Sequence, residues 1–255
     1  MLSIILSRRD FREYDQIISL YTKDKGKLEL LSRGVKKITS KNAAHLEPFS
    51  FVFAEMVPGK EIDHLIKVQP VKPFRNIRKD LKKSIIAQQM CSIADRLICV
   101  GEDDVRVFEL LKSFLQFLET SEISSNLLID SFVVKLFHLL GFSPILLECV
   151  VCGKEYKDIV HEDIGVGKKP GFYFAGGGLI CHDCRVKKEM IEEQIAVCGL
   201  KEISQMEMLL HADWHRVDAF QLEEGGQKSL HTLVLEFARY HSEKKVVDWQ
   251  RIMKA

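Results

Sequence analysis

The sequence predicts an α+β protein of two domains, a small five-stranded β-barrel followed by an α-helical bundle that carries a metal-binding insert. Three observations predict this. Five short apolar or alternating segments joined by turn signals precede Pro70, helical periodicity follows Pro73, and two C-x2-C pairs interrupt the helical part. The predicted bounds are residues 1–80 for the barrel, 81–255 for the helical domain and about 146–188 for the insert.

The barrel strands are predicted from apolar runs and from alternation. They are Leu2–Leu6, Gln16–Thr22, Lys27–Ser32, Phe49–Val57 and Ile62–Val68. Gly26 can supply the positive φ that a hairpin turn between the second and third strands requires, and Pro58-Gly59 marks another turn. Five short strands with tight turns and one long basic connection fit an OB-type barrel, in which ligands lie across strands two and three and under the first and fourth loops.

The aromatic side chains of the barrel could either pack in its core or stack on nucleic-acid bases. Phe49, Phe51 and Phe53 fall on the same side of one strand, and we predict that they fill the barrel interior. Tyr14 and Tyr21 could stack on bases or pack in the core, and the sequence leaves that choice open.

The basic loop, residues 33–41, is the most cationic connection of the barrel. Its cations are Arg33, Lys36, Lys37 and Lys41, and it contains no acidic residue. A Lys or Arg that neutralises a phosphate releases a counterion and so gains affinity for a polyanion without reading its sequence. The loop therefore indicates a nucleic-acid contact. The alternative is a charged loop that is merely solvated.

Positive charge is concentrated in the N-terminal part of the chain. Residues 1–80 contain 16 Lys and Arg against 10 Asp and Glu, whereas the remainder contains 21 against 26. This asymmetry favours a nucleic-acid surface on the barrel. Ten further cations are predicted to extend the basic loop: Arg8, Arg9 and Arg12 in the first connection, Lys23, Lys25 and Lys27 at a hairpin tip, and Arg75, Arg78, Lys79 and Lys82 on one helical face. For the last four a solvated helical face is an equal alternative.

Apolar residues at three- and four-residue steps predict the helices that follow. They are Ile86–Leu97, Val105–Leu118, Leu127–Leu140, Ile203–His211 and Leu230–Tyr240. Gly141 and Pro144 end the third of these. Their phenylalanines are expected to form the core of one bundle.

Four cysteines give the most specific chemical signal in the sequence. Cys149 and Cys152 form one C-x2-C pair, and Cys181 and Cys184 form a second after 28 intervening residues. Two such chelating turns supply the four thiolates of a tetrahedral structural Zn²⁺ site, which leaves no open position for catalysis. A redox dithiol or a pair of disulfides is the alternative. His161 and His182 could replace a cysteine, although each is expected to be an ordinary surface histidine.

Several of these residues also resemble a known family. Residues 13–34, the basic loop and Leu46–Ser50 resemble the N-terminal OB domain of the bacterial DNA repair and recombination mediator RecO. Gly177–Cys184 resembles the zinc-bearing branch of that family, in which a finger interrupts the helical domain. The resemblance implies that Cys149, Cys152, Cys181 and Cys184 ligate one zinc ion.

The resemblance further implies a DNA-binding mediator of RecF-pathway repair. Such a protein binds single- and double-stranded DNA, anneals complementary strands, and with RecR helps RecA to replace single-stranded DNA-binding protein, whose C-terminal tail it contacts. An RNA-binding zinc-ribbon factor of transcription or translation is the alternative, and a metal-dependent hydrolase would need an open zinc position. No nucleotide-binding or catalytic motif is present, so we expect a binding protein with no small-molecule substrate.

Composition and segment lengths give the expected location. The N-terminal apolar run ends at Arg8, too early for a signal-peptide core, and no run is long enough to span a bilayer. We expect a cytoplasmic protein that is not associated with a membrane, and the resemblance implies association with the bacterial nucleoid. In that compartment the seven cysteines should be thiols or metal ligands.

Overall fold

The chain forms two units in the computed structural model, which describes residues 1–123, 125–163, 168–187, 194–242 and 246–254. The first unit holds residues up to Ile123 together with the C-terminal stretch from Trp249, and the second unit extends to Asp248. Among the described residues no helix is both long and apolar enough to cross a membrane. The predicted bounds of 1–80, 81–255 and about 146–188 concern parts of the chain that fold separately, and they stay predictions.

A closed five-stranded barrel forms the N-terminal part of the first unit. Its strands are β1 (Leu2–Asp10), β2 (Gln16–Thr22), β3 (Gly26–Ser32), β4 (Phe51–Val57) and β5 (His64–Lys72). They are hydrogen-bonded in the order β1-β2-β3-β5-β4, and β4 closes the barrel against β1. All neighbours are antiparallel except β3 and β5. The predicted OB-type barrel is therefore confirmed.

The barrel interior is filled by aliphatic side chains rather than by the three phenylalanines. Val52 and Ala54 of β4 belong to the interior cluster, together with residues such as Ile18 and Leu30. Phe51 lies on the opposite face of β4 and packs against Phe108, with ring centroids 6.1 Å apart, and Phe53 is 41% exposed. Phe49 and Phe51 are buried, as predicted for core residues, but neither belongs to the interior cluster. The prediction of a position inside the barrel was wrong for Phe51 and Phe53 because successive side chains of a strand alternate faces, and the outer face of β4 is also apolar.

The turn between β2 and β3 requires glycine for two reasons. Gly26 has a φ of +61°, and a Cβ on it would lie 1.8 Å from the carbonyl oxygen of Glu102. The hairpin therefore approaches the connection after the second helix of the chain too closely for any side chain. This approach places the β2–β3 tip beside residues 101–104, where the Lys27 main chain hydrogen-bonds to Gly101 and Glu102.

Three helices follow the barrel in the first unit: α1 (Arg75–Lys79), α2 (Leu81–Leu97) and α3 (Val105–Thr120). Asp80 separates α1 from α2, since its backbone is extended and its side chain accepts the Lys83 N–H. The prediction of one basic helical face was therefore wrong, because Lys82 lies on a different helix from Arg75, Arg78 and Lys79.

The second unit combines a helical bundle with a small sheet. Its elements are α4 (Leu127–Leu139), α5 (Tyr156–Asp163), β6 (Gly171–Tyr173), β7 (Gly178–Ile180), α6 (His182–Lys187), β8 (Ile195–Val197), α7 (Leu200–His211), α8 (Trp214–Ala219) and α9 (Glu224–His241). The last helix, α10 (Trp249–Lys254), belongs to the first unit. In the sheet β6 pairs with β7 and with β8, and β6 and β7 form a hairpin directly before the second cysteine pair. Helices α4, α7, α8 and α9 pack together around the phenylalanine core, including a contact between Phe137 and Phe237.

A buried histidine is held between two carboxylates in the second unit. Nδ1 of His231 on α9 lies 2.8 Å from Oδ1 of Asp130 on α4, and Nε2 lies 3.1 Å from Oδ1 of Asp248. Burial lowers the pKa of His231, but the two carboxylates outweigh burial and raise it. Because both ring nitrogens face an acceptor, the imidazole is best satisfied when both are protonated.

This histidine predicts a pH dependence of stability. A raised folded-state pKa means that His231 stabilises the fold fully below its unfolded pKa of about 6.5, and that this contribution is lost as the pH rises through the folded value. We expect the difference in free energy of unfolding between the parent and His231→Gln to shrink over that rise. Urea denaturation at several pH values measures it, with His211→Gln at an exposed pair as the control. A difference that grows with pH would contradict the interpretation.

Candidate nucleic-acid interface and candidate metal centre

The basic loop is fixed to the first connection of the barrel by main-chain contacts. The Lys36 N–H donates to the carbonyl oxygen of Tyr14 at 3.1 Å, and the Gly34 N–H donates to Oδ1 of Asp15 at 2.8 Å. Gly34 adopts a φ of +64°, which turns the chain directly after β3. The loop and the residues between β1 and β2 therefore form one rim of the barrel.

We use the term cationic rim for the exposed basic residues of this end of the barrel. They are Arg8, Arg9, Arg12, Arg33, Lys36, Lys37 and Lys41. Three of them are ion-paired: Arg8 with Glu47 at 2.7 Å, Arg9 with Glu29 at 2.8 Å and Lys36 with Asp10 at 2.8 Å. Exposed pairs of this kind hold their partners weakly, so they can be exchanged for phosphate. The other four have no ion pair within the described residues.

Two of the rim arginines lie on a strand rather than in a loop. The first connection was predicted to include Arg8 and Arg9, but β1 continues to Asp10 and pairs both residues with β2. The strand is longer than expected because its polar end still has a hydrogen-bonding partner in β2, although it no longer faces the core. Arg12 is in the connection, as predicted.

Lys27 does not belong to a DNA-binding surface. Its side chain is buried, and its ammonium group donates to the carbonyl oxygens of Asp95 and Ile98 and lies 3.0 Å from Oδ1 of Asp95. Asp95 also accepts hydrogen bonds from Ser7 at 2.7 Å and Ser19 at 2.5 Å. Burial raises the pKa of Asp95, but these donors outweigh burial and lower it. The network joins the outer face of the barrel to α2, and the prediction for Lys27 was wrong for this reason.

Lys23 and Lys25 are exposed, but they lie at the far end of the β2–β3 hairpin. Ser32 pairs with Gln16 next to the cationic rim, whereas Gly26 pairs with Thr22 at the tip. Six steps of about 3.4 Å separate these pairs, or roughly 20 Å. The expected single surface of loop and hairpin tip is therefore divided into two ends of the barrel.

The four cations of α1 and α2 are exposed, and two of them have structural contacts. The Arg78 guanidinium lies 4.4 Å from the centre of the Phe49 ring and donates to Oγ of Ser50 at 2.8 Å. Burial lowers the pKa of Arg78. Nζ of Lys82 donates to the carbonyl oxygen of Ile123 at 3.1 Å. Arg75 and Lys79 make no ion pair with the described residues.

The structure separates the two tyrosines that the sequence left open. Tyr21 is buried, and its hydroxyl donates to the carbonyl oxygen of Asp104 and accepts from the Asp104 N–H, both at 3.1 Å. Tyr14 is 45% exposed on the cationic rim, with Nζ of Lys37 at 5.5 Å from its ring centre. Sequence reasoning missed Phe11, whose exposed ring lies 5.1 Å from the Arg12 guanidinium. Its place in the first connection was the available signal.

The four predicted cysteines converge in the second unit. All four sulfur atoms lie within 4.8 Å of one another, and Cys152 and Cys181 are 3.8 Å apart. A tetrahedral ion with Zn–S bonds of ~2.3 Å requires sulfur atoms about 3.8 Å apart. The four residues are free thiols, so the two pairs form one cluster rather than separate dithiols or disulfides. This donor set fits a metal ion. His161 and His182 lie outside the cluster.

Main-chain groups orient these sulfurs. The Cys181 N–H donates to Sγ of Cys149 at 3.3 Å, and the Gly153 N–H donates to the Cys149 carbonyl oxygen at 2.8 Å in a turn where Gly153 has a φ of +71°. Burial raises the pKa of Cys149, but N–H groups of Cys181, Cys152 and Val151 outweigh burial and lower it to about 7. Burial raises the pKa of Cys184. A bound cation would favour the thiolate form of all four.

Comparison with known proteins gives matches to two family models. Residues 3–74 match the family model described as "Recombination protein O N terminal", and residues 78–250 match "Recombination protein O C terminal". These two models together cover almost the whole chain.

Several curated relatives of the chain are named DNA repair protein RecO. A DNA repair protein RecO from Desulforamulus reducens is 26% identical over 244 residues, which is 96% of this chain and 90% of the relative. Proteins of the same name from Symbiobacterium thermophilum and Rubrobacter xylanophilus are 32% and 31% identical, each over 71% of this chain and 69% of the relative.

Proposed function

The chain belongs to the RecO family of DNA repair proteins, and on that premise we propose that it binds single- and double-stranded DNA through the cationic rim of its barrel. Family membership gives a role in DNA repair and recombination. The observation that supports the rim as the binding surface is the fixed contact between basic loop and first connection, which gathers its cations at one end of the barrel. Exposed Tyr14 and Phe11 would add stacking contacts to unpaired bases.

We further propose that the protein is a mediator that acts by binding and not by catalysis. A cationic surface that holds two DNA backbones offsets their mutual repulsion, which is a physical basis for annealing complementary strands. With RecR, the protein would promote exchange of single-stranded DNA-binding protein for RecA in RecF-pathway repair. The helical unit is the proposed place for the tail of single-stranded DNA-binding protein. Such work would associate it with the nucleoid in the cytoplasm.

For the cysteine cluster we propose one structural Zn²⁺ ion held by Cys149, Cys152, Cys181 and Cys184. Four thiolates fill a tetrahedral shell, so the ion would have no free position for water or substrate. Its contribution would be to the stability of the surrounding turns and sheet and not to a reaction.

Strand annealing tests the proposed function directly. We expect the protein to speed annealing of complementary oligonucleotides coated with single-stranded DNA-binding protein, and the effect to fall steeply with salt because it depends on phosphate contacts. A fluorescence assay with donor- and acceptor-labelled strands measures the rate, with and without RecR. Annealing of complementary RNA strands of the same sequence serves as the comparison, since an RNA-binding factor would speed that reaction more than the annealing of DNA. No acceleration on DNA at low salt would contradict the proposal.

A further inference from the structure

The second unit contains a groove that DNA binding does not explain. It has a volume of about 450 Å³ and lies between residues 143–148 and the C-terminal half of α7. This volume is within the range of ligand pockets in proteins. The groove is separate from the cationic rim, which belongs to the first unit.

Aliphatic side chains form the apolar part of the groove. Ile145 and Leu147 line one wall and are 43% and 63% exposed, while Leu210 of α7 is buried in the opposite side. Neighbouring exposed aliphatic residues in a concave site mark a surface that gains stability when a partner covers them.

Three glutamates line the same groove and give it negative charge. They are Glu148, Glu155 and Glu207. Glu207 lies 3.2 Å from His211, and Glu155 lies 2.7 Å from Lys157. Glu148 has no ion pair within the described residues. An acidic peptide would be repelled here, whereas lysine or arginine would find carboxylates next to an apolar wall.

The wall of the groove is preformed. The Ile145 N–H donates to the Gly177 carbonyl oxygen at 2.9 Å, and the Leu179 N–H donates to the Ile145 carbonyl oxygen at 2.8 Å. A Cβ on Gly178 would lie 2.2 Å from that Ile145 oxygen, so glycine permits the close approach. A wall that is fixed in advance loses little conformational freedom when it binds.

Main-chain groups of the wall remain available for a ligand. The main-chain groups of Ile145 are hydrogen-bonded to Gly177 and Leu179, as described above. The carbonyl oxygen of Leu147 accepts the Tyr156 N–H at 2.8 Å. The main-chain groups of Glu148, an exposed residue, form no hydrogen bond to the part of the chain that the structure describes. An extended peptide could satisfy these groups while its side chains alternate between the groove and solvent.

We propose that this groove docks a peptide segment of a partner protein, and that the segment carries lysine or arginine next to aliphatic side chains. The apolar wall takes the aliphatic groups, the three glutamates take the cations, and the free main-chain groups fix the direction of the segment. This proposal does not depend on DNA binding. It also separates this groove from any site for an acidic tail.

A fluorescence anisotropy titration of the full chain tests the docking. The probe is a short fluorescein-labelled peptide that alternates lysine with leucine, and two control peptides replace its lysines by glutamate or its leucines by serine. We expect the probe to bind at least about five-fold more tightly than either control, since one well-placed charge or aliphatic contact has that effect. Equal binding of the three peptides, or no binding of the probe, would overturn the proposal.

Variants locate the binding on the protein. We expect Glu148→Gln combined with Glu207→Gln, and separately Leu147→Ser, each to weaken probe binding by about five-fold or more. Glu236→Gln on the exposed face of α9 is the matched control and should leave binding unchanged. Metal content and the thermal unfolding profile show that each variant is folded. Binding that survives both groove variants, or that Glu236→Gln weakens as much, would place the peptide elsewhere.

Discussion

Reversing the charge of Lys37 and Lys41 is expected to lower the affinity for single-stranded DNA by roughly 60-fold in about 50 mM salt. Both side chains are exposed on the cationic rim and neither has an ion pair among the described residues. Each phosphate contact on single-stranded DNA contributes a slope of about 0.7 to the dependence of log affinity on log salt, so the loss of two contacts removes roughly 1.4 from that slope. Anisotropy titrations of a labelled oligonucleotide over a range of salt concentrations measure both quantities.

The hairpin tip offers a matched control for this experiment. Lys23→Glu with Lys25→Glu makes the same change of net charge on two exposed lysines of the same barrel. Because the tip is at the far end of β2 and β3, we expect its reversal to change affinity by no more than a few-fold and to leave the slope nearly unaltered. If both variants lose the same affinity, the binding depends on overall charge and the rim is not the site.

Removal of the proposed zinc ion by a chelator is expected to unfold the small sheet of the second unit and to leave the barrel folded. Structural zinc contributes about 10 kcal/mol or more to small metal-dependent folds, and strands of three residues have little stability of their own. Limited proteolysis should then cut between Cys149 and Cys198 while the fragment containing the barrel persists. Mass spectrometry of the fragments and elemental analysis of the metal measure the two effects.

Single substitutions separate the cluster from the other thiols. Cys184→Ser should reproduce the effect of chelation in part, because it removes one of the four convergent sulfurs. Cys99→Ser changes an exposed thiol outside the cluster and should alter neither metal content nor protease resistance. The metal-free protein should bind single-stranded DNA with unchanged affinity, since the cationic rim belongs to the other unit. A metal-free chain with unchanged protease resistance would refute a structural role for the ion.

The sequence predicted the elements of the barrel better than the direction of its side chains. Gly26 and the apolar runs determine where strands start and turn, and β2 begins and ends at the predicted residues. The sequence does not reveal which side of β4 faces the barrel interior, because Val52 and Ala54 on one side are as apolar as Phe51 and Phe53 on the other. Alternation distinguishes the two faces only when one of them is polar, and here the outer face near Phe51 packs on Phe108.

The predictions for the sites differ for a related reason. The cysteine cluster was predictable because a C-x2-C spacing already places two sulfurs of one turn next to each other. The burial of Lys27 was not predictable, since it depends on an ion pair with Asp95, which lies on a helix far along the chain. A charged residue in a strand reads as exposed until its partner is known. The assignment of the remaining cations to DNA stays a prediction.

The parallel seam of the barrel has a consequence for its motion. Strands β1 and β2, and likewise β2 and β3, share ladders of seven register pairs, whereas β3 and β5 share the single pair of Leu31 with His64. Separating β3 from β5 disrupts the fewest main-chain hydrogen bonds, so we expect local opening of the barrel to occur most easily between these two strands. The chain leaves β3 directly after this pair and enters the basic loop. Fluctuation at the seam would therefore let the loop adjust its distance from β5 while the sheet of β1 to β3 stays intact.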